Sequence, residues 1–369
     1  MFCHFIIKKL ATPEVLDIPT WGPVSSCLKI IKKTAHRFLK LLFHNQLHKK
    51  VSCASPHQDI CVIYTDKGNI GDAIGDLSCL KILRESMDFD CELNLVVHDA
   101  LYELYKCDPT FNNVATIDEF ADGKCLFGAD LILLFLLDYK AIKTKALLFP
   151  KTKFLVLHGW FAGDRNPMLH GAYNIARCFN LDMRPLDALK SVKQVFNPCE
   201  TKISPDLEII LSDFLGVYVG IVVGGIDPVR TYQRFDKVVE RLLTRGIKVL
   251  LLGSSNGLDI ANKIRHQNLD NDNLICFVGS QSLYEFKRTV DHVSLMICAD
   301  GGGMHMALGL DTPMISLFSY ELPESRMPFS FKGASLHAGA EVSKIEPDLI
   351  VKTVFEVLKK IKLLKLISC

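Results

Sequence analysis

No apolar run in this sequence reaches the roughly 20 residues that a helix needs to cross a bilayer. The opening Met1-Phe2-Cys3-His4-Phe5-Ile6-Ile7 is too short and wrongly flanked for a secretory signal, so the expectation is a soluble or peripheral protein. No two cysteines form a Cys-x-x-Cys pair, although there are thirteen. That odd, scattered set argues against a zinc site or a disulfide framework. Cys61, Cys276 and Cys298 lie inside apolar runs and read as reduced core thiols of a cytosolic protein. No G-x-G-x-x-G follows a strand with an acidic residue at the right distance, which removes a dinucleotide oxidoreductase. Internal repeats and low-complexity tracts are also missing. Net charge is small at +2, but it is unevenly spread. Residues 1–58 carry nine Lys/Arg against Glu14 and Asp17, residues 344–369 carry six Lys against three acids, and the middle is net −8. Basic ends on an acidic body point to an anionic surface and away from nucleic acid.

What is present is ample core. A 369-residue chain that is 49% hydrophobic has room for two domains. Residues 1–57 read as a basic extension. Within it, Leu28 to Leu47 has helical periodicity, with Ile31, Ala35, Phe38, Leu39 and Leu42 on one face and Lys29, Lys33, Arg37 and Lys40 mostly beside or opposite. Such a helix suits a membrane interface or docks on the protein's own surface. Short apolar runs then alternate with helical stretches, which predicts parallel sheets covered on both faces. Strands are expected at Ile60–Tyr64, Leu93–Val97, Leu131–Leu137 and Phe154–Leu157, with a helix over 73–85.

A linker over 196–213 separates the domain at 58–195 from a second at 214–346. In the latter, strands are expected at Val217–Val223, Ile247–Leu252, Leu274–Phe277, Val293–Ala299 and Met314–Phe318. Residues 347–369 form a lysine-rich helix, a second candidate for membrane contact. Two such doubly wound domains would face a central cleft with the loops at the carboxyl ends of their strands.

Two of those loops carry the chemistry. Asp300-Gly301-Gly302-Gly303-Met304-His305 follows a buried strand and opens a helix, so its backbone N–H groups suit a phosphate or diphosphate. The alternative is a tight turn that needs positive φ, with His305 a packed core residue. Gly68-Asn69-Ile70-Gly71-Asp72 follows the first strand; Asp72 there is either a catalytic carboxylate or the N-cap of a helix from Ala73. Asp76, four residues on, reads as a solvated or helix-face carboxylate. Asp88-Phe89-Asp90 and Asp270-Asn271-Asp272 imitate a metal-binding D-x-D but lie in polar loops, and no metal is expected.

Gly68-Asn69-Ile70-Gly71-Asp72 with Leu80-Lys81-Ile82-Leu83-Arg84 resembles the pattern G-x-x-G-D…L-x-x-L-R of glycosyltransferase family 9, the lipopolysaccharide heptosyltransferases. The run from Asp300 through Met304-His305 to Gly309 and Thr312-Pro313 resembles the family's D-S-G-x-M-H-L-A-x-A-L-G-T-P, and Gly246 to Gly253 fits as well. The similarity covers about residues 59–345.

It implies a GT-B fold, two Rossmann-like doubly wound parallel-sheet domains. It further implies an inverting, metal-independent transfer of a sugar, heptose from ADP-heptose, onto a lipopolysaccharide core, with no cofactor beyond the nucleotide sugar. On this resemblance Asp72 is the general base, beside an acceptor-side loop of Gly68, Asn69 and Gly71. Gly224, Gly225, Arg230, Gly253, Asp300, Gly301, Gly302, Gly303 and His305 form the donor side. Arg230 would supply the cation, and His305 would touch phosphate or brace the loop. The expected location is the cytoplasmic face of the inner membrane.

Three positions depart from the family. Gly301 replaces a Ser/Thr, Pro228-Val229-Arg230-Thr231 replaces K-x-W-P, and Gly257 replaces the glutamate of G-G-x-x-E, with Asp259 nearby. Two other readings follow: a pyruvyltransferase-like GT-B enzyme, from the N-x-G-D resemblance of Asn69–Asp72, and a degenerate protein that holds a nucleotide sugar or glycan without turnover.

Overall fold

The computed structural model describes residues 27–66, 70–124, 127–158, 166–182, 205–212, 217–328 and 331–367. The chain divides into two units, 1–193 with 327–329, and 194–326 with 330–369.

The first unit opens with helix α1 (Cys27–Phe43) and then alternates strands and helices. They are β1 (Lys50–Val51), β2 (Ile60–Tyr64), α2 (Ile70–Leu77), α3 (Leu80–Glu85), β3 (Leu93–Val97), α4 (Asp99–Tyr105), β4 (Asn113–Thr116), α5 (Ile117–Ala121), β5 (Leu131–Leu136), α6 (Tyr139–Leu148), β6 (Lys153–His158) and α7 (Pro167–Cys178). The sheet is parallel throughout, in the order β1-β6-β5-β2-β3-β4. Burial on both faces explains the unbroken apolar runs: Ile60-Cys61-Val62-Ile63-Tyr64 and Leu93–Val97 are buried at every position.

The second unit holds α8 (Pro205–Ser212), β7 (Tyr218–Val222), α9 (Phe235–Leu243), β8 (Lys248–Leu252), α10 (Leu258–His266), β9 (Leu274–Cys276), α11 (Leu283–His292), β10 (Leu295–Ala299), α12 (Gly302–Gly309), β11 (Met314–Phe318), α13 (Pro323–Arg326), β12 (Gly333–His337) and α14 (Pro347–Ile367). Its sheet runs β12-β11-β10-β7-β8-β9, again all parallel. Both sheets therefore share one frame, with the order reversing between β2 and β5 in the first and between β7 and β10 in the second. The sixth strand differs in origin: it comes from upstream in the first unit and from downstream in the second.

Several expectations change. The stretch read as an extension supplies the sheet's edge strand β1, and Ala54 N donates to Cys178 O at 2.9 Å. Buried Lys145 ties the same stretch down, donating to Gln46 Oε1 and to Thr152 O. The single apolar face expected on α1 is split: Leu41 is buried and Phe38 packs on the core, whereas Leu39 and Leu42 point outward, together with Phe43.

The helix expected over 73–85 starts at Ile70 and breaks at Ser78-Cys79. There Ser78 Oγ donates to Gly75 O and Cys79 Sγ to Asp76 O, so side chains compete for the helix carbonyls. Helix α14 sets Ile350, Val351, Val354 and Val357 into the core of the second unit beside Phe235, Val238 and Leu242 of α9. Its apolar face is thus already covered over that stretch, and Lys352, Lys359 and Lys360 are solvated. Cys61, Cys276 and Cys298 are free as expected, whereas Cys107 is disulfide-bonded. Cys53, Cys79, Cys91 and Cys178 are free as well.

Candidate functional site

At the reversal point of the second sheet, the loops after β7 and β10 lie side by side, where open α/β sheets bind their ligands. The first loop turns on glycines. Gly224 has φ +88°, and a Cβ on it would stand 2.6 Å from Gly257 Cα; a Cβ on Gly225 would meet Thr231 Oγ1 at 2.5 Å. Gly253, after β8, has φ +140° and its Cβ would strike Val223 O. Asp227 then caps the turn Pro228–Arg230 through Val229 N and delivers Arg230 to the neighbouring loop.

Arg230 Nη1 lies 3.2 Å from Asp300 Oδ2, and its Nε lies 3.4 Å from Asp227 Oδ2. The Asp300 side chain is only 4% exposed, so a partnered cation is what permits its charge there. The Asp300 backbone N donates to Leu317 O, which locks the strand end to β11. The same carboxylate, after the larger effect of burial, helps to push the Cys298 thiol up to about 12.

Gly301 is the N-cap of α12 and offers no side chain to the helix start. The first N–H groups of α12 have no intrahelical acceptor, so they form a positive end beside Arg230. A Cβ on Gly303 would come within 2.8 Å of Val222 Cγ2, so this helix approaches β7 closely only because that position is glycine. Gly301 is different: the nearest atom to a Cβ there is Ala299 O at 4.0 Å. His305 is buried inside α12. Arg230, Asp300 and the three glycines are therefore brought together, with Gly224, Gly225 and Gly253 shaping the adjoining turns. Gly257 cannot carry a side chain, because its Cβ would stand 2.5 Å from Val223 O; Asp259 is exposed in the first turn of α10.

In the first unit, Asp72 is exposed in the first turn of α2, two residues inside the helix start and so not at its cap. Gly71 precedes it, half-buried. Gly68 and Asn69 lie outside the described residues. At the reversal point between β2 and β5, an open pocket of about 250 Å³ is lined by Thr65, Asp66, Leu136, Asp138 and Lys140 among others. Lys140 Nζ donates to Thr65 O at 2.6 Å, and Asp138 caps α6 through Ala141 N.

Sequence reasoning missed one relationship here. Tyr64 OH donates to Asp76 Oδ2 at 3.0 Å, so Asp76 is an anchored carboxylate. Burial pushes the Tyr64 hydroxyl pKa up, and the adjacent Asp76 charge adds to it. The signal was a tyrosine ending a wholly buried strand, since a buried hydroxyl needs a partner. The D-x-D imitators precede β3 and β9, at the amino ends of strands, and Asp88, Asp90, Asp270 and Asp272 are all exposed.

Residues 211–343 match the model of glycosyltransferase family 9 (heptosyltransferase). The family resemblance read from the loops is thus borne out over the unit that holds Arg230 and Asp300. Lipooligosaccharide heptosyltransferase 2 of Haemophilus influenzae is 26% identical over 103 residues, 27% of this chain; the match spans 30% of that relative's length. A family 9 glycosyltransferase from Veillonella parvula superposes with a TM-score of 0.67 at 13% identity, covering 84% of this chain and 99% of that one. The ADP-heptose lipopolysaccharide heptosyltransferase II of E. coli gives 0.59 at 15% identity, covering 82% and 99%. At those identities the likeness establishes the fold: two parallel-sheet α/β units of the GT-B class.

Proposed function

We propose that this chain is a glycosyltransferase of the heptosyltransferase type, transferring heptose from ADP-heptose onto a lipopolysaccharide core or related glycolipid. The observation that carries this reading is buried Asp300 paired with the half-buried Arg230 beside the glycine-capped start of α12, inside the stretch that matches family 9. On this reading the diphosphate of the donor sits against the α12 N–H groups and Arg230, which supply the positive charge that a metal would otherwise give.

Asp72, exposed on α2, takes the proton from the acceptor hydroxyl. The hydroxyl oxygen forms its bond to the anomeric carbon as the bond from that carbon to the diphosphate breaks, with inversion, and the electron pair leaves on the diphosphate. Polarisation at the donor and proton removal at the acceptor are separate tasks for separate residues.

The acceptor is lipid-linked in this proposal, so the enzyme works as a peripheral protein at the cytoplasmic face of the inner membrane, held by its basic amino-terminal region. No described helix is long and apolar enough to cross a membrane. The filled position at Gly257 favours a second reading, a nucleotide-sugar-binding protein without turnover.

A thermal-shift panel of nucleotide sugars tests the donor assignment. ADP-heptose is expected to raise the melting temperature, and Arg230→Met to abolish that rise. A panel in which no nucleotide sugar moves the transition overturns the reading.

A further inference from the structure

Helices α1 and α6 pack side by side on the first unit. Between them they contain eight Lys/Arg and not one Asp or Glu. The core side of α1 is Leu41 with Phe38, and that of α6 is Ala141, Ile142 and Lys145. Their outer sides remain apolar as well. Leu39, Leu42 and Phe43 are 63%, 56% and 81% exposed, and Tyr139 and Leu147 are 45% and 66% exposed. On α1 the three lie three and four residues apart, hence on one face; on α6 Tyr139, the exposed Lys143 and Leu147 follow the same spacing.

The two rows join. Lys40 Nζ lies 4.2 Å above the Tyr139 ring, and the His44 ring stands 6.0 Å from Tyr139 and 5.1 Å from Phe43. Lys32 and Lys143 are solvated on the same two helices.

We propose that this two-helix face docks on an anionic phospholipid surface, with Leu39, Leu42, Phe43 and Tyr139 entering the headgroup boundary and Lys32, Lys40 and Lys143 meeting lipid phosphates. This deepens the membrane reading above and rests on it. Apolar side chains flanked by cations match a leaflet that is apolar below its phosphates. A second copy of the chain fits badly, because a two-fold contact would set these lysines against one another.

The place of the face also suits the proposed acceptor. Tyr139 stands between Asp138 and Lys140, both of which line the pocket at the carboxyl end of the first sheet. Docking here holds that pocket at headgroup height, where the sugar of a glycolipid projects.

The test is flotation of the full chain with vesicles of phosphatidylglycerol and phosphatidylcholine, against phosphatidylcholine alone. The wild type is expected to bind the anionic vesicles and to be released by high salt. The double variant Leu42→Glu, Phe43→Glu is expected to bind at least tenfold more weakly with its melting temperature kept, since both positions are exposed. Leu349→Glu and Phe355→Glu on α14, also exposed, are expected to change nothing. In Phe43→Trp, the emission should shift to the blue when anionic vesicles are added.

A wild type that floats with no vesicle overturns the membrane reading as a whole. A wild type that floats while the double variant floats equally well, or a tryptophan whose emission stays put, overturns the assignment to this face alone. Loss of a dimer in the double variant, seen by sedimentation velocity, would make the face a contact between copies and overturn the lipid proposal.

Discussion

Arg230 and Asp300 are 70 residues apart in sequence, yet Nη1 and Oδ2 stand 3.2 Å apart across the reversal point of the second sheet. The pair fixes a cation beside an open helix start while keeping the carboxylate's charge compensated. Arg230→Met should therefore do two things. It should lower stability by about 1–2 kcal/mol in urea unfolding, less than a fully buried pair would give because Arg230 is about a third exposed. It should also weaken nucleoside diphosphate binding at least tenfold by calorimetry. Unchanged affinity would take Arg230 out of the donor site.

Two glycines of the same triplet, Gly301 and Gly303, are expected to behave oppositely. Gly303→Ala forces a methyl into Val222 and should cost roughly 1–3 kcal/mol. Gly301→Ser has open space and an extended φ of 164°, and its hydroxyl can cap α12, so stability should hold within about 0.5 kcal/mol or improve slightly. Equal losses in both variants would mean that α12 does not approach β7 as described.

Tyr64→Phe removes the hydroxyl that anchors Asp76 on the helix bearing Asp72. A loss of roughly 1 kcal/mol is expected. Transfer should slow through kcat while the donor Kd stays put, because the residues proposed to hold the donor belong to the other unit. A changed donor Kd would contradict this separation.

Lys145 gives a pH-dependent prediction. Its folded pKa is lowered to about 8 by burial first and then by the neighbouring charge of Lys49, from 10.5. Between those values the unfolded chain holds more protons than the folded one, so this residue makes stability rise with pH across that window. Stability relative to Lys145→Met should climb by on the order of 2 kcal/mol from pH 8 to 10.5. Lys50, lowered similarly, cancels because both proteins retain it. A flat difference would show that Lys145 is not held in this buried setting.

Much of the fold was readable because buried parallel strands are written as unbroken apolar runs. Ile60–Tyr64 and Met314–Phe318 fall where the pattern puts them. Strands at the sheet margins lack that mark. Lys50-Val51 is two residues long, and Gly333-Ala334-Ser335-Leu336-His337 is only partly buried, so neither carries a continuous apolar signal.

Among the site residues, glycines were legible through the turns they demand, and Asp300 through its place at a strand end. The long-range partners were not. Tyr64 with Asp76 depends on the angle of a helix, and Lys145 with Gln46 on how an amino-terminal segment returns to the sheet. Composition likewise marked α1 as basic and amphipathic, but only packing decides which apolar row faces the core. Leu41 took that place, leaving Leu39 and Leu42 outside.

The most direct test is the mass of a lipopolysaccharide core acceptor after incubation with ADP-heptose and either the wild type or Asp72→Asn. One added heptose is expected with the wild type and none with the variant, while calorimetry shows the variant still binding donor. Heptose addition by the variant at the wild-type rate, or none by the wild type with donor bound, would contradict the proposed transfer.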